Sequence, residues 1–161
     1  RHDLVDAVLE SGSSAVQWTL VSVVARVEAL DDLLRTPDGA NLLAGYRRAA
    51  NILTAEEKKG RGLSHEEELL GIQPSLLVEP AEKALYEALE KALPAARAAV
   101  EKEEFAAAMK ALSGLRASVD AFFERVLVNA EEPSLRRNRL LLLSRLREAL
   151  SAVADFSKIE G

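Results

Sequence analysis

The sequence contains no cysteine, which excludes disulfides and thiolate metal sites. That lack is compatible with a cytosolic protein. Two histidines in 161 residues are too few for most imidazole metal centres. Aromatics make up only 4% of the chain, with eight glycines and five prolines. Such a chain is poor material for sheets, which draw on aromatics, and for turn-rich folds, which draw on glycine and proline. No apolar stretch approaches the roughly 20 residues of a membrane span. Even the leucine run Leu140 to Leu143 has Arg139 before it and Arg145 just after. No secretory leader is visible. A phosphate-cradling glycine loop is also lacking: Gly60-Arg61-Gly62 is short, and no strand precedes it.

What is present is leucine, alanine and valine. Apolar residues form 48% of the chain, enough to bury a real core in one domain or two small ones. Alanine and leucine are among the strongest helix formers, so the composition predicts helical layers. The chain starts at Arg1 without methionine and ends at Gly161, which suggests a piece of a longer protein. A net charge of −5 argues against indiscriminate polyanion binding but leaves room for a local basic site. Such a site has a candidate, because Ser134 to Arg147 holds five arginines and no carboxylate.

Periodicity places the elements. A first helix is expected from His2 to about Glu10, ended by Ser11-Gly12-Ser13-Ser14. A second runs to about Arg35 on Val16, Leu20, Val23, Val27, Leu30 and Leu34. Thr36-Pro37-Asp38-Gly39 reads as a turn. A third spans about Ala40 to Lys58, with Leu42, Tyr46, Ala49 and Leu53 as its buried stripe. Residues 59–79 read as an irregular connection, in which Ser64 and Glu67 form the capping box of a short helix. Pro80 opens the next helix, and Pro94 is expected to kink or end it. One helix is expected from about Lys102 to Val128, with Gly114 a weak point, and a last one from Pro133 to about Ala154. The expected architecture is a single all-α domain, 1–161, a bundle of six to seven helices.

Enzymatic constellations fail on their partners. His2-Asp3 is shared with metal-dependent phosphohydrolases, but their further ligands are missing and only His65 remains. His65-Glu66 is followed by Leu69 where a zinc metalloprotease needs its second histidine. The pairs Glu56-Glu57 and Glu103-Glu104 and the run Glu66 to Glu68 read as solvated faces. No catalytic residue, metal site or cofactor is therefore expected.

The cations are more informative. Arg47, Arg48 and Asn51 project together from the side of their helix opposite the apolar stripe, and Lys58, Lys59 and Arg61 extend that track. Arg can bond phosphate or stack on a splayed base, and an amide can satisfy a base edge. At 100° per residue, Arg137 and Arg145 face away from Leu142, Leu146 and Leu150 and can reach phosphates. Arg139 falls beside that stripe and Asn138 at its margin, so both read as structural. Arg139 should be tied to a carboxylate such as Asp120 or Glu124, because an unpaired buried charge is too costly.

Three blocks resemble the C-terminal region of the β subunit of bacterial heterotetrameric glycyl-tRNA synthetases. They are residues 1–8 (RHDLVDAV), residues 46–53 (YRRAANIL), and a C-terminal set with FFERVLVNA at 122–130, LRRNRL at 135–140 and VADFS at 153–157. That region is in turn similar to the anticodon-binding domain of arginyl-tRNA synthetases, named for an Asp-Ala-Leu-Arg signature. The tetrapeptide does not occur here, and Glu28-Ala29-Leu30 is its nearest approach. The resemblance implies a cytoplasmic module that binds the anticodon end of glycine tRNA. It also implies an α subunit as partner, with aminoacylation and its ATP belonging to the parent enzyme rather than to this domain. The rival readings are a helical protein–protein scaffold and, more weakly, a nucleotide hydrolase.

Overall fold

A computed structural model describes residues 2–10 and 20–160. The Ser11–Ser14 break and the helical position of Val16 lie outside the described residues, as does Arg1 of the first family block. Among the described residues there are eight α-helices, two short 3-10 turns and no strand. The helices are α1 (His2–Leu9), α2 (Leu20–Leu34), α3 (Pro37–Lys58), α4 (His65–Leu70), α5 (Pro80–Glu101), α6 (Phe105–Ser113), α7 (Arg116–Arg125) and α8 (Pro133–Ser151). The 3-10 turns are Pro74–Leu76 and Phe156–Lys158.

Local chemistry sets the boundaries. Thr36 caps α3, its hydroxyl accepting from Gly39 N at 3.0 Å, and Pro37 takes the first helical position. The segment read as a turn is thus a helix start, three residues earlier than expected. Proline's missing N–H costs nothing at a helix N-terminus, and Asp38 suits the positive end of the dipole. Ser64 and Glu67 close the expected capping box on α4, at 3.1 and 2.9 Å.

Of the two outcomes expected at Pro94, an end to the helix does not occur: α5 continues from Pro80 to Glu101. Proline offers no N–H to the carbonyl of Glu90, but both residues are exposed, so solvent can take the bond. The opposite face, with Leu85, Leu89, Leu93, Ala96 and Val100, is buried and holds the helix together. Conversely, the single helix expected over 102–128 is two, α6 and α7, separated at Gly114 and Leu115. Glycine is a weak helix former, and fully buried Leu115 anchors the corner.

The core lies where α3, α5 and α8 stack. α8 packs against both α3 and α5, while α5 also carries α6 and α7, and α2 bridges α3 and α6. The stripe Leu42, Tyr46, Ala49 and Leu53 is buried, as are Leu142, Leu143, Leu146, Leu150 and Val153. Each buried leucine contributes about 1.5–3 kcal/mol by leaving water. Because α8 is covered on two sides, Asn138 to Leu143 are buried without a break. A four-leucine run fits such a helix, and an amphipathic one has no use for it.

The C-terminal segment returns to the beginning of the chain. Asp155 N donates to Ala7 O at 2.8 Å, Glu160 N to Asp3 Oδ2 at 3.1 Å, and Lys158 pairs with Glu10 at 3.2 Å. Phe156 is buried with its ring 5.8 Å from that of Tyr46.

Candidate nucleic-acid interface

The second turn of α8 organises one end of the bundle. Four consecutive residues, Arg136 to Arg139, together hold the α7–α8 loop, α4, Gln73 and α5. Arg136 Nη1 donates to Ala130 O at 3.3 Å in the α7–α8 loop. Arg137 Nε lies 3.1 Å from Glu67 Oε1 on α4. Asn138 clamps the backbone of Gln73, accepting from its N–H at 2.8 Å and donating to its carbonyl at 3.2 Å. Arg139 donates to Leu127 O at 2.7 Å and pairs with Glu82 Oε1 at 3.0 Å.

Arg139 and Glu82 are both buried, with side chains 7% and 0% exposed. The partner is Glu82 of α5 and not Asp120 or Glu124 of α7, which corrects the expectation. Asp120 is instead engaged by Arg116 one turn before it, at 3.1 Å, and Arg116 also reaches Asp38 at 2.9 Å. Both carboxylates hold the Arg116 guanidinium more firmly charged than usual. Glu82 has a second duty, since Oε1 also accepts from Glu79 N at 3.1 Å at the start of α5. Asn138 is buried as well.

Two clefts open at this end and share Arg136 and Leu140 as a common wall. The first, of about 300 Å³, lies between α3 and α7. Ile52, Val126 and Leu140 are among its apolar lining residues, while Arg48, Lys59, Arg136 and Asn129 supply the polar ones. The Arg48 guanidinium lies over the Phe123 ring, 4.6 Å from its centroid. The second, of about 400 Å³, is lined by Gly60, Arg61, Gly62, Glu67, Arg136 and Arg137. Arg61 and Lys59 are gathered by buried Glu56, at 3.2 and 3.7 Å. One carboxylate thus keeps two cations beside the clefts. Gly60 has φ +73°, a left-handed turn that ends α3 and that a side chain would strain.

The expected cationic track is therefore partly gathered and partly dispersed. Arg48, Lys59, Arg61 and Arg137 line this end, and Lys58 is exposed next to them. Arg47 does not join Arg48. It sits in a separate cleft of about 340 Å³ with Leu34, Leu43 and Ile159, and donates to Ile159 O at 2.9 Å. Asn51 is exposed between the two arginines and lines neither cleft. Arg145 lies two turns along α8 from Arg137, where Glu90 and Glu148 take it at 3.2 and 3.7 Å.

Phe123, Asn129 and Arg136 were not candidates from the sequence. Phe123 carried a usable signal, because Phe122 fits the buried stripe and an adjacent aromatic must then face elsewhere. Arg136 carried one only as a member of the arginine-rich stretch from Ser134 to Arg147, and Asn129 carried none, since its place depends on how the α7–α8 loop folds back on α8. Among the described residues no three His, Asp or Glu side chains gather as a metal site. No described helix is long and apolar enough to cross a membrane.

The sequence model of the DALR anticodon binding domain matches residues 42–160, a span that contains every residue of both clefts. Over its whole length the chain is 48% identical to part of the glycine–tRNA ligase beta subunit of Phenylobacterium zucineum (strain HLK1). It is likewise 48% identical to part of the glycine–tRNA ligase beta subunit of Paracoccus denitrificans (strain Pd 1222). The chain spans 23% and 22% of the length of these two relatives.

Proposed function

We propose a function from one premise: the chain belongs to the DALR anticodon binding domain family. The domain binds the anticodon arm of glycine tRNA on behalf of a glycine–tRNA ligase. The ATP-dependent ligation is carried out elsewhere in a cytoplasmic assembly that includes an α subunit. The observation that carries this reading is the family match over 42–160, a span that includes the end where arginines, lysines and the half-buried Phe123 meet. Phosphates are attracted by Lys59, Arg61 and Arg137, which position the RNA without reading it. Sequence is read in single-stranded loops, whose bases can splay onto side chains.

The test is a titration of this chain with glycine tRNA and with an anticodon-substituted transcript, each at several salt concentrations. The native anticodon should bind more tightly, and log affinity should fall linearly with log salt. Lys59→Ala with Arg137→Ala should shallow that slope by about 1–2, as two phosphate contacts are lost. Equal affinity for both transcripts would reject anticodon reading. Absence of salt-dependent tRNA binding would favour the protein–protein scaffold instead.

A further inference from the structure

We propose that the α3–α7 cleft is a pocket for a single nucleotide. One unstacked base of the bound RNA lies on the Arg48 guanidinium, which is itself seated on the Phe123 ring, and presents its edge to the Asn129 amide. This inference rests on the anticodon-arm reading above and adds the residues that take one base.

Four observations converge on it. First, Arg48 is exposed but not loose: its guanidinium carbon lies over the Phe123 ring, 4.6 Å from the centroid, and its stem rises from α3. A guanidinium is planar, and one held over a ring can serve as a stacking platform that carries positive charge. Second, the cleft volume of about 300 Å³ is at the small end of ligand pockets, roughly 300–1,000 Å³, which suits one base rather than a stack of them. Third, the Asn129 side chain is exposed on the lining and makes no hydrogen bond among the described residues. Its donor and acceptor are both available, and a paired donor and acceptor is what a base edge offers in return. Fourth, the loop that carries Asn129 is pinned on both sides, at Leu127 by Arg139 and at Ala130 by Arg136. Little ordering cost is left for binding. The neighbouring cleft, reached past the shared Arg136, offers Arg61 and Arg137 to the adjoining phosphate. Base and backbone of one nucleotide thus meet different walls of one site.

Arg48 and Asn129 touch the base in this arrangement, and Phe123 is a positioning residue that acts through Arg48. The experiment uses this chain and an RNA hairpin with the anticodon arm of glycine tRNA, bearing 2-aminopurine at one loop position at a time. In the wild type, one position brightens on binding as its base leaves the stack of its neighbours. Arg48→Lys keeps the charge and loses the plane. It should abolish that brightening and weaken binding about tenfold, with the salt slope unchanged. Phe123→Leu should also abolish the brightening. Asn129→Ala should keep it, while the native hairpin falls to the affinity of one with that single base changed. Arg48 and Asn129 are exposed, so both variants should melt as the wild type does. Brightening at no position, or wild-type affinity and signal in Arg48→Lys, would overturn the pocket while leaving anticodon-arm binding intact. A wild-type chain that binds no anticodon hairpin at low salt would sink the function reading and the pocket with it.

Discussion

Removing the Glu82 carboxylate strands the Arg139 guanidinium where water cannot reach it. Glu82→Ala or Arg139→Ala should each cost about 3–5 kcal/mol, read as a shifted denaturant midpoint at constant m-value. The loss should not be additive in the double variant, because the second substitution removes a charge already left unpaired. Additive losses would mean that the two groups act separately. Glu132, the N-cap of α8, makes a subtler case. Its carboxylate accepts from the Ser134 hydroxyl at 2.6 Å and from the Ser134 N–H, and these bonds hold its pKa below the ordinary 4.5. A depressed carboxylate favours the folded state at neutral pH, and that contribution fades as pH falls through the lowered value. An NMR titration of Glu132 should move back toward the ordinary value in Ser134→Ala. Burial of Arg139 was legible from its angle on the helix wheel. Its partner was not, because the wheel shows a residue's own helix and Glu82 lies 57 positions earlier, on another helix.

At the scale of elements, α5 tests whether its proline is tolerated or useful. Pro94→Ala restores one helical hydrogen bond on an exposed face and should stabilise the domain by about 1–3 kcal/mol. A lower melting temperature would show that the proline-shaped helix is needed by its neighbours. α4 bears on the proposed binding through Glu67. That carboxylate holds Arg137 at 3.1 Å on the lining of the second cleft, in the way an RNA phosphate would. Glu67→Gln removes the competing charge, so the domain should bind glycine tRNA more tightly, with a steeper salt slope. Unchanged binding would mean that Arg137 takes no phosphate. Most helices were legible because one buried face imposes a 3.6-residue period on α1, α3, α5 and α8. The corner at Gly114 was legible only as a weak point, because the apolar spacing continues through it from Met109 and Leu112 to Val119 and Phe122. Pattern records which residues are buried, and a change of helix axis can leave that record unbroken.

For the whole molecule, a net charge of −5 and a basic end are complementary facts. With a net charge of −5, attraction for RNA depends on where cations gather, as Arg48, Lys58, Lys59, Arg61, Arg136 and Arg137 do at this end. The molecule is therefore expected to orient before contact. Lys58→Glu should slow association with glycine tRNA more than it speeds dissociation, and the effect should shrink at high salt. Stopped-flow measurements at two ionic strengths test this, and a change confined to dissociation would contradict it.

The hydrogen bonds between the C-terminal segment and α1 also have a consequence in time. Ala7 and Asp3 find their partners in Asp155 and Glu160, so the first helix waits for the last residues before its contacts are complete. At about 5–20 residues per second, a ribosome makes α1 many seconds before the strap that secures it. Until Asp155 and Glu160 have emerged, a fully translated α1 lacks the hydrogen bonds that Ala7 and Asp3 make in the folded domain.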